Sequence, residues 1–458
     1  MPTSLAGTPA PLVRFEDLLA PFREAEKGPE LHAVGAEMEK PAIDALTFAP
    51  IPYEGPRGVA AILAALEKHG WLAERETEGG PIIALTRGRA SVTLEPGGQL
   101  ELSGAPYRTV HEVADELEAH QRELAPIVKG LGLELLGLGF HPFATRAELP
   151  WVPKKRYAIM RDYLPTRGGR GLDMMLRTST VQANLDFSSE RDAMRKMRVL
   201  LALAPLVTAL FANSPFVEGQ RGEALSERGA VWLDVDPDRT GLLPRLFLPD
   251  ASYTDYVEWA LDVPMFLIKR GHEYLRNTGQ TFRQFWKDGM GEHHATQADW
   301  RLHLNTLFPE VRLKHTIELR SADSQSLELA PALAALAVGL VYDPRALDEL
   351  EATLGDVTHD EVAALRREVY RLGLRSTFRG APLQKLAEAV VAIADGGLER
   401  RAFADAQGKD ERRHLDPLRA LVLAGKTPAE ALLARMDPAK DFRAEVVRVS
   451  ALSTSSGS

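Results

Sequence analysis

Four segments of this chain alternate apolar and polar residues with the period of a β-strand, and their polar positions carry the same kinds of group. In "VGAEMEKPA" (34–42), Glu37 and Glu39 share one face and Ala36 and Met38 the other. In "LEPGGQLELSG" (94–104) a turn precedes Gln99, Glu101 and Ser103, with Leu100 and Leu102 behind them. "LRTSTVQANLDF" (176–187) sets Thr178, Thr180, Gln182, Asn184 and Asp186 on one side. "LKHTIELRSAD" (313–323) does the same with Thr316, Glu318 and Arg320, opposite Ile317 and Leu319. A buried carboxylate without a partner is expensive, so either this side is solvated or something positive faces it. One sheet with an apolar side and a concave polar side satisfies all four segments.

The chain has 458 residues, more than a single core usually organises. This predicts one large α/β body with a helical appendage, or two closely packed domains. The composition, 45% hydrophobic and 26% charged, is that of an ordinary globular protein. A net charge of −9 argues against a nucleic-acid surface, while leaving room for a local basic pocket. The absence of cysteine excludes disulfides, thiolate metal sites and a cysteine nucleophile. The first residues lack the basic, apolar and small-residue order of a signal peptide, and the apolar runs 199–212 and 329–342 are too short to span a bilayer. The expectation is a cytoplasmic protein without membrane attachment.

Helix signals are plain. "RGVAAILAALEKHG" repeats Val59, Ile62, Leu63 and Leu66 at helical spacing and stops at Gly70. Thr109 and Glu112 stand in capping-box register ahead of Val113, Leu117 and Leu124, and Thr358 with Glu361 and Thr427 with Glu430 mark later starts. The resulting division is a disordered tail over 1–14, a body over 15–330, a helical region over 331–450 packed on that body, and a disordered end over 451–458.

Oxygen ligands recurring on several strands suit Mg²⁺ or Mn²⁺, and Mg²⁺ usually bridges carboxylates to substrate phosphates. Arginines beside such a face supply planar forks for phosphate. Together they point to ATP-dependent phosphoryl transfer. Four features carry less on their own. A lone Glu-x-Glu is commonly a solvated face. "RGGRG" (167–171) lacks Walker spacing and reads as a flexible loop; His293 and His294 read as exposed; "DVDPDRTG" (234–241) reads as a turn with useful polar groups.

Longer stretches then become distinctive: "LEPGGQLELSGAP", "RYAIMRDYLP", "GLDMMLRTSTVQANLDFSSE", "LFANSPFVEG", "DPDRTGLLP", "YVEWALDVPM" and "LFPEVRLKHTIELRSAD". In this order the chain resembles the plant and proteobacterial type of glutamate–cysteine ligase. The resemblance implies an α+β, glutamine-synthetase-like fold: a curved antiparallel sheet forming a bowl, flanked by helices. It also implies ligation of the L-glutamate γ-carboxylate to the L-cysteine amine, with ATP and Mg²⁺, through γ-glutamyl phosphate, as the first step of glutathione synthesis. It implies metal ligands at Glu37, Glu39, Glu95, Glu101, Gln182 and Glu318. It also implies substrate contacts at Asn184, Thr180, Arg228 and Trp232, and charge stabilisation by Arg228 and Arg320. No nucleophilic side chain is needed, because the substrate carboxylate attacks ATP.

The chain departs from its plant relatives after Arg320, where "SADSQSLEL" replaces a Gly-Gly-Pro-Trp run, and it has no cysteine for their redox disulfides. The first departure keeps open another amine or peptide as acceptor. A catalytically silent nucleotide- or amino-acid-binding relative, and an ATP phosphotransferase without ligation, are the readings of other classes. The remaining expectations are small-molecule partners only and a monomer or weak homodimer. Tyr157, Met160 and Met265 are thiol-pocket residues only by their place beside the matched motifs.

Overall fold

The computed structural model describes residues 10–452. Its centre is an antiparallel sheet of β1 (Val34–Lys40), β2 (Leu72–Arg75), β3 (Ile82–Arg87), β4 (Ala90–Leu94), β5 (Leu100–Ser103), β6 (Thr180–Leu185), β7 (Val311–Leu313) and β8 (Ile317–Asp323). The eight strands lie in the order β7-β8-β6-β1-β5-β4-β3-β2. All four segments singled out by alternation sit side by side as β8, β6, β1 and β5.

Register shows how the polar face is assembled. Glu37 stands opposite Ser103 on one side and Gln182 on the other; Glu39 stands opposite Glu101, and Glu318 opposite Asn184. Directly opposed residues point to the same side of a sheet, so these groups line one face. Met38, Leu102, Val181, Ala183 and Leu319 line the other and are almost completely buried. Lys40 falls on the apolar side too, where burial lowers its pKa to about 7.

That apolar side is closed by helices. Residues of α1 (Val59–Glu67) predicted to face inward, Val59, Ile62, Leu63 and Leu66, are all fully buried. In α2 (Val110–Gly130) the Thr109–Glu112 capping box forms as the sequence predicts, and Val113, Leu117 and Leu124 are buried. Helix α3 (Glu190–Leu210) packs on β7 and β8, beside the 5-residue helix α4 (Glu227–Val231). Helix α5 (Ala330–Val341) is buried on every side against β6 and β1, which is why its sequence shows no polar stripe. Beyond it the chain is mainly helical, including α6 (His359–Leu372), capped by Thr358 and Glu361. No helix among the described residues is long and apolar enough to cross a membrane.

The structure amends two expectations, the tails and the "RGGRG" loop, and adds detail at two further places. Of the tails expected over 1–14 and 451–458, residues 1–9 and 453–458 lie outside the described residues, but Leu12 is buried and bonded to Ala295, and Leu452 is buried and bonded to Leu135. Apolar contact outweighs terminal position there. The "RGGRG" stretch is braced rather than flexible: Arg170 pairs with Glu227 at 2.7 Å, and the chain at Gly168 approaches Val235 so closely that a Cβ would lie 1.8 Å from its carbonyl oxygen. The turn "DVDPDRTG" contains a fully buried Asp236–Arg239 pair at 2.6 Å, whose guanidinium also donates to the Pro264 carbonyl. Strand β8 bulges between Leu319 and Ala322, so Asp323 rather than Ala322 falls in line with Thr180. Simple alternation does not reveal that shift.

Candidate active site

The centre of the polar face is crowded with negative charge. Glu39 and Glu101 are each 8% exposed and directly opposed on neighbouring strands. Glu39 accepts the backbone N–H of Thr180 at 3.0 Å and has no ion-pair partner among the described residues. Burial, then the charges of Glu95 and Glu101, hold its pKa well above the ordinary carboxylate value, against the opposing pull of Arg228 and Arg320. Burial likewise raises Glu37, with the Glu101 and Glu318 charges adding to it. Glu101 accepts from Ser103 at 2.8 Å and from Thr93. Glu95 lies in the turn before β5, which closes through Glu95 N–H to Gln99 O at 3.0 Å.

Glu318, at the β8 end, is in the opposite condition. Its carboxylate meets Arg312 at 2.6 Å, Lys314 at 2.5 Å and Arg320 at 3.3 Å. Burial alone would raise its pKa, but the three cations take it well below the ordinary value. Arg320 also donates to Gln182 Oε1 at 2.6 Å. Glu318 and Gln182 therefore stand on the predicted face, with oxygens already committed to protein cations.

Arg228 is buried and donates to the Arg320 carbonyl at 2.6 Å, while its other nitrogen lies 4.0 Å from Asp323. Asp323 is in turn held by Ser214 at 2.6 Å, Ser226 at 2.8 Å and the Asn213 N–H at 2.8 Å. Asn184 donates to Glu37 at 3.0 Å and lines a recess with Lys314, His315 and Thr316. The Thr180 hydroxyl donates to the Ala322 carbonyl at 2.6 Å, which ties β6 to β8. Trp232 is half-buried, edge-on to Phe308 at 6.2 Å, with the Arg228 guanidinium 5.8 Å from its ring. Tyr157 is buried with its hydroxyl on the Leu94 carbonyl, and Met265 is fully buried, so both serve packing.

Arg312 and Lys314 were missed, although the alternation that found Glu318 and Arg320, run back six residues from Glu318, reaches both. Ser324 was missed for a different reason: it lies beyond the bulge, and its hydroxyl donates to the Glu39 carbonyl at 2.6 Å. The departing segment after Arg320 begins in the core, where Ser321, Asp323, Ser324 and Gln325 are each about 1% exposed or less, and surfaces at Ser326 and Glu328.

No group of three or more His, Cys, Asp or Glu close enough to enclose a metal ion is found among the described residues. Mg²⁺ bound to a nucleotide needs only one or two carboxylates, because phosphates and waters complete its shell. The carboxylates of Glu39, Glu95 and Glu101, which make no ion pair among the described residues, fit that requirement.

Residues 33–449 match the model of glutamate–cysteine ligase family 2. The chain is 44% identical over 428 residues to the chloroplastic glutamate–cysteine ligase of Brassica juncea, covering 92% of this chain and 81% of that one. It is 43% identical over 428 residues to the chloroplastic enzyme of Arabidopsis thaliana, covering 92% and 80%. The solved glutamate–cysteine ligase of Francisella tularensis in complex with AMP superposes with a TM-score of 0.59 at 12% identity, over 92% of this chain and 87% of that one, a likeness of fold. These relatives overturn the cytoplasmic location expected above, since the curated ones are chloroplastic.

Proposed function

The chain belongs to glutamate–cysteine ligase family 2, and on that premise we propose that its polar sheet face joins the γ-carboxylate of L-glutamate to the amine of L-cysteine at the expense of ATP. The product, γ-glutamylcysteine, is the first intermediate of glutathione synthesis. The observation that carries the reading is the register of Glu37, Glu39, Glu101 and Gln182 on adjoining strands, next to Arg320 and Arg228.

The γ-carboxylate oxygen attacks the γ-phosphorus of ATP and ADP leaves, giving an acyl phosphate. The amine nitrogen then attacks the carbonyl carbon, phosphate departs, and the nitrogen loses a proton. Bound Mg²⁺ supplies charge neutralisation for the ATP oxygens. Glu37, Glu39, Glu95 and Glu101 are the residues whose carboxylates would hold it, whereas Glu318 is paired with Arg312 and Lys314 and Gln182 accepts from Arg320.

Arg320 is the movable cation. An arriving phosphoryl group competes with Glu318 and Gln182 for its guanidinium, while Arg312 and Lys314 keep Glu318 neutralised when it leaves. Arg228 is anchored through Asp323 and supports the Arg320 backbone, so the pair acts from a fixed base. Asn184, bonded to Glu37 at the recess, orients the donor carboxylate. Cysteine as acceptor follows from membership of the family.

The test is ADP release from ATP, Mg²⁺ and L-glutamate with and without L-cysteine, with mass spectrometry of the products. Cysteine-dependent ADP and γ-glutamylcysteine are expected. Glutamate-dependent ADP indifferent to cysteine would retain the donor half and discard the acceptor. ADP release needing neither amino acid would sink the reading.

A further inference from the structure

Beneath the turn that carries Glu95, a small cavity with about 10 Å³ of water-accessible space is lined by Gly97, Gly98, Gln99, His141, Leu149 and Leu176, among others. That volume accommodates one water molecule. Two polar atoms in its lining are fully buried and have no partner among the described residues: His141 Nε2 and Gln99 Oε1.

The protonation of each is settled by its other bonds. His141 Nδ1 accepts the backbone N–H groups of Phe143 at 3.3 Å and Ala144 at 3.1 Å. A nitrogen that accepts carries no proton, so in the neutral ring the proton sits on Nε2. Burial, reinforced by the Arg177 charge, lowers the pKa to about 3 and keeps the ring neutral. Gln99 donates through Nε2 to the Thr178 carbonyl at 2.8 Å, which fixes Oε1 as the atom left over. A buried donor and a buried acceptor therefore belong to two residues that line one water-sized space.

We propose that a single internal water, accepting from His141 Nε2–H and donating to Gln99 Oε1, makes His141 a positioning residue for the Glu95–Glu101 carboxylates. This rests on the metal-binding reading of those carboxylates given above. The connection is short. Gln99 closes the turn with Glu95 through its backbone oxygen and precedes β5, which carries Glu101. Its side chain reaches Thr178, two residues before Thr180, whose N–H is bonded to Glu39. His141 is joined to the same stretch through its own N–H on the Arg177 carbonyl at 2.7 Å. Water, Gln99 and His141 thus tie β5 to β6 on either side of Glu39. Gly97 packs too tightly for the turn to move instead, since a Cβ there would lie 2.2 Å from the Leu176 carbonyl oxygen.

A crystal structure at a resolution that shows ordered solvent tests the first half: one water within about 3 Å of both atoms is expected, and a dry cavity overturns it. The variant His141→Asn tests the second, because its amide oxygen replaces Nδ1 for the Phe143 and Ala144 N–H groups while the inward donor is lost. Mn²⁺ affinity in the presence of ATP, measured by titration calorimetry, should weaken on the order of tenfold, as for outer-shell partners of metal ligands. KM for Mg·ATP should rise more than kcat falls, with little change in Tm. Unchanged Mn²⁺ affinity overturns the positioning role. Glu101→Gln separates the two readings: if it too leaves Mn²⁺ affinity unchanged, the metal assignment fails and the positioning claim falls with it, while a water seen in the crystal stands.

Discussion

Glu39 and Glu318 stand on one face of one sheet, two strands apart, under opposite electrostatic conditions. Glu318 is surrounded by Arg312, Lys314 and Arg320 and ionises more easily than a free carboxylate. Glu39 is buried beside Glu95 and Glu101, has no cation bonded to it among the described residues, and resists ionisation. The edge of the sheet is complete as a protein structure. Its centre carries a charge deficit that a bound cation would remove. A site for Mg·ATP needs both: a fixed anchor for the phosphate-facing arginine, and carboxylates held close together without compensation.

The contrast can be broken most severely at the centre. Glu39→Gln should lower kcat/KM for ligation on the order of 10²–10³-fold, and Arg320→Ala by a similar factor, each with a native circular dichroism spectrum. Near-normal turnover in either purified variant would remove that residue from the machinery.

At the edge, the effect should appear as stability. Arg312→Ala leaves a buried carboxylate short of its best-bonded partner, and a loss of about 3 kcal/mol is expected, the lower end for breaking a buried pair because Lys314 and Arg320 remain. Urea unfolding measures it. An unchanged midpoint would mean that those two cations suffice.

The pH dependence of stability in chelator-treated protein should separate the two groups by sign. Glu318 has a native pKa below the ordinary 4.5, so its contribution is full above 4.5 and is lost as pH falls through the depressed native value. Glu39 has a native pKa above 4.5, so its contribution is full below 4.5 and is lost as pH rises through the raised value. Glu39→Gln should reduce the alkaline-side loss, part of which Glu37 still supplies, and leave the acid-side loss intact. An alkaline-side slope unchanged from the parent protein would contradict the burial of Glu39.

The smallest effect concerns the clamp between the departing segment and β1. Ser324→Ala removes a buried hydrogen bond to the Glu39 carbonyl and should lower stability by about 1–2 kcal/mol, read as a small drop in Tm. A large change in the cysteine KM instead would show that this segment does shape the acceptor pocket.

Much of this was legible in the chain. Alternation put Glu37, Glu39, Glu101, Gln182, Asn184 and Glu318 on polar faces, and the structure joins those faces as adjacent strands. Capping boxes at Thr109, Thr358 and Thr427 start helices where their spacing predicts. These features are local, set by backbone period and by side chains three or four residues away.

What the sequence could not decide depends on which strands become neighbours. Nothing in "VGAEMEK" says that Glu39 will face Glu101 rather than a cation, or that Arg312, six residues from Glu318, will be paired with it by strand register. The β8 bulge, the Ser324 clamp and the cavity between His141 and Gln99 arise from contacts spanning tens to hundreds of residues. Whether a carboxylate is neutralised, and so whether it is an anchor or a vacancy for charge, is a property of distances. Tertiary packing alone sets those distances, because Coulomb energies in a buried face change steeply over a few ångströms.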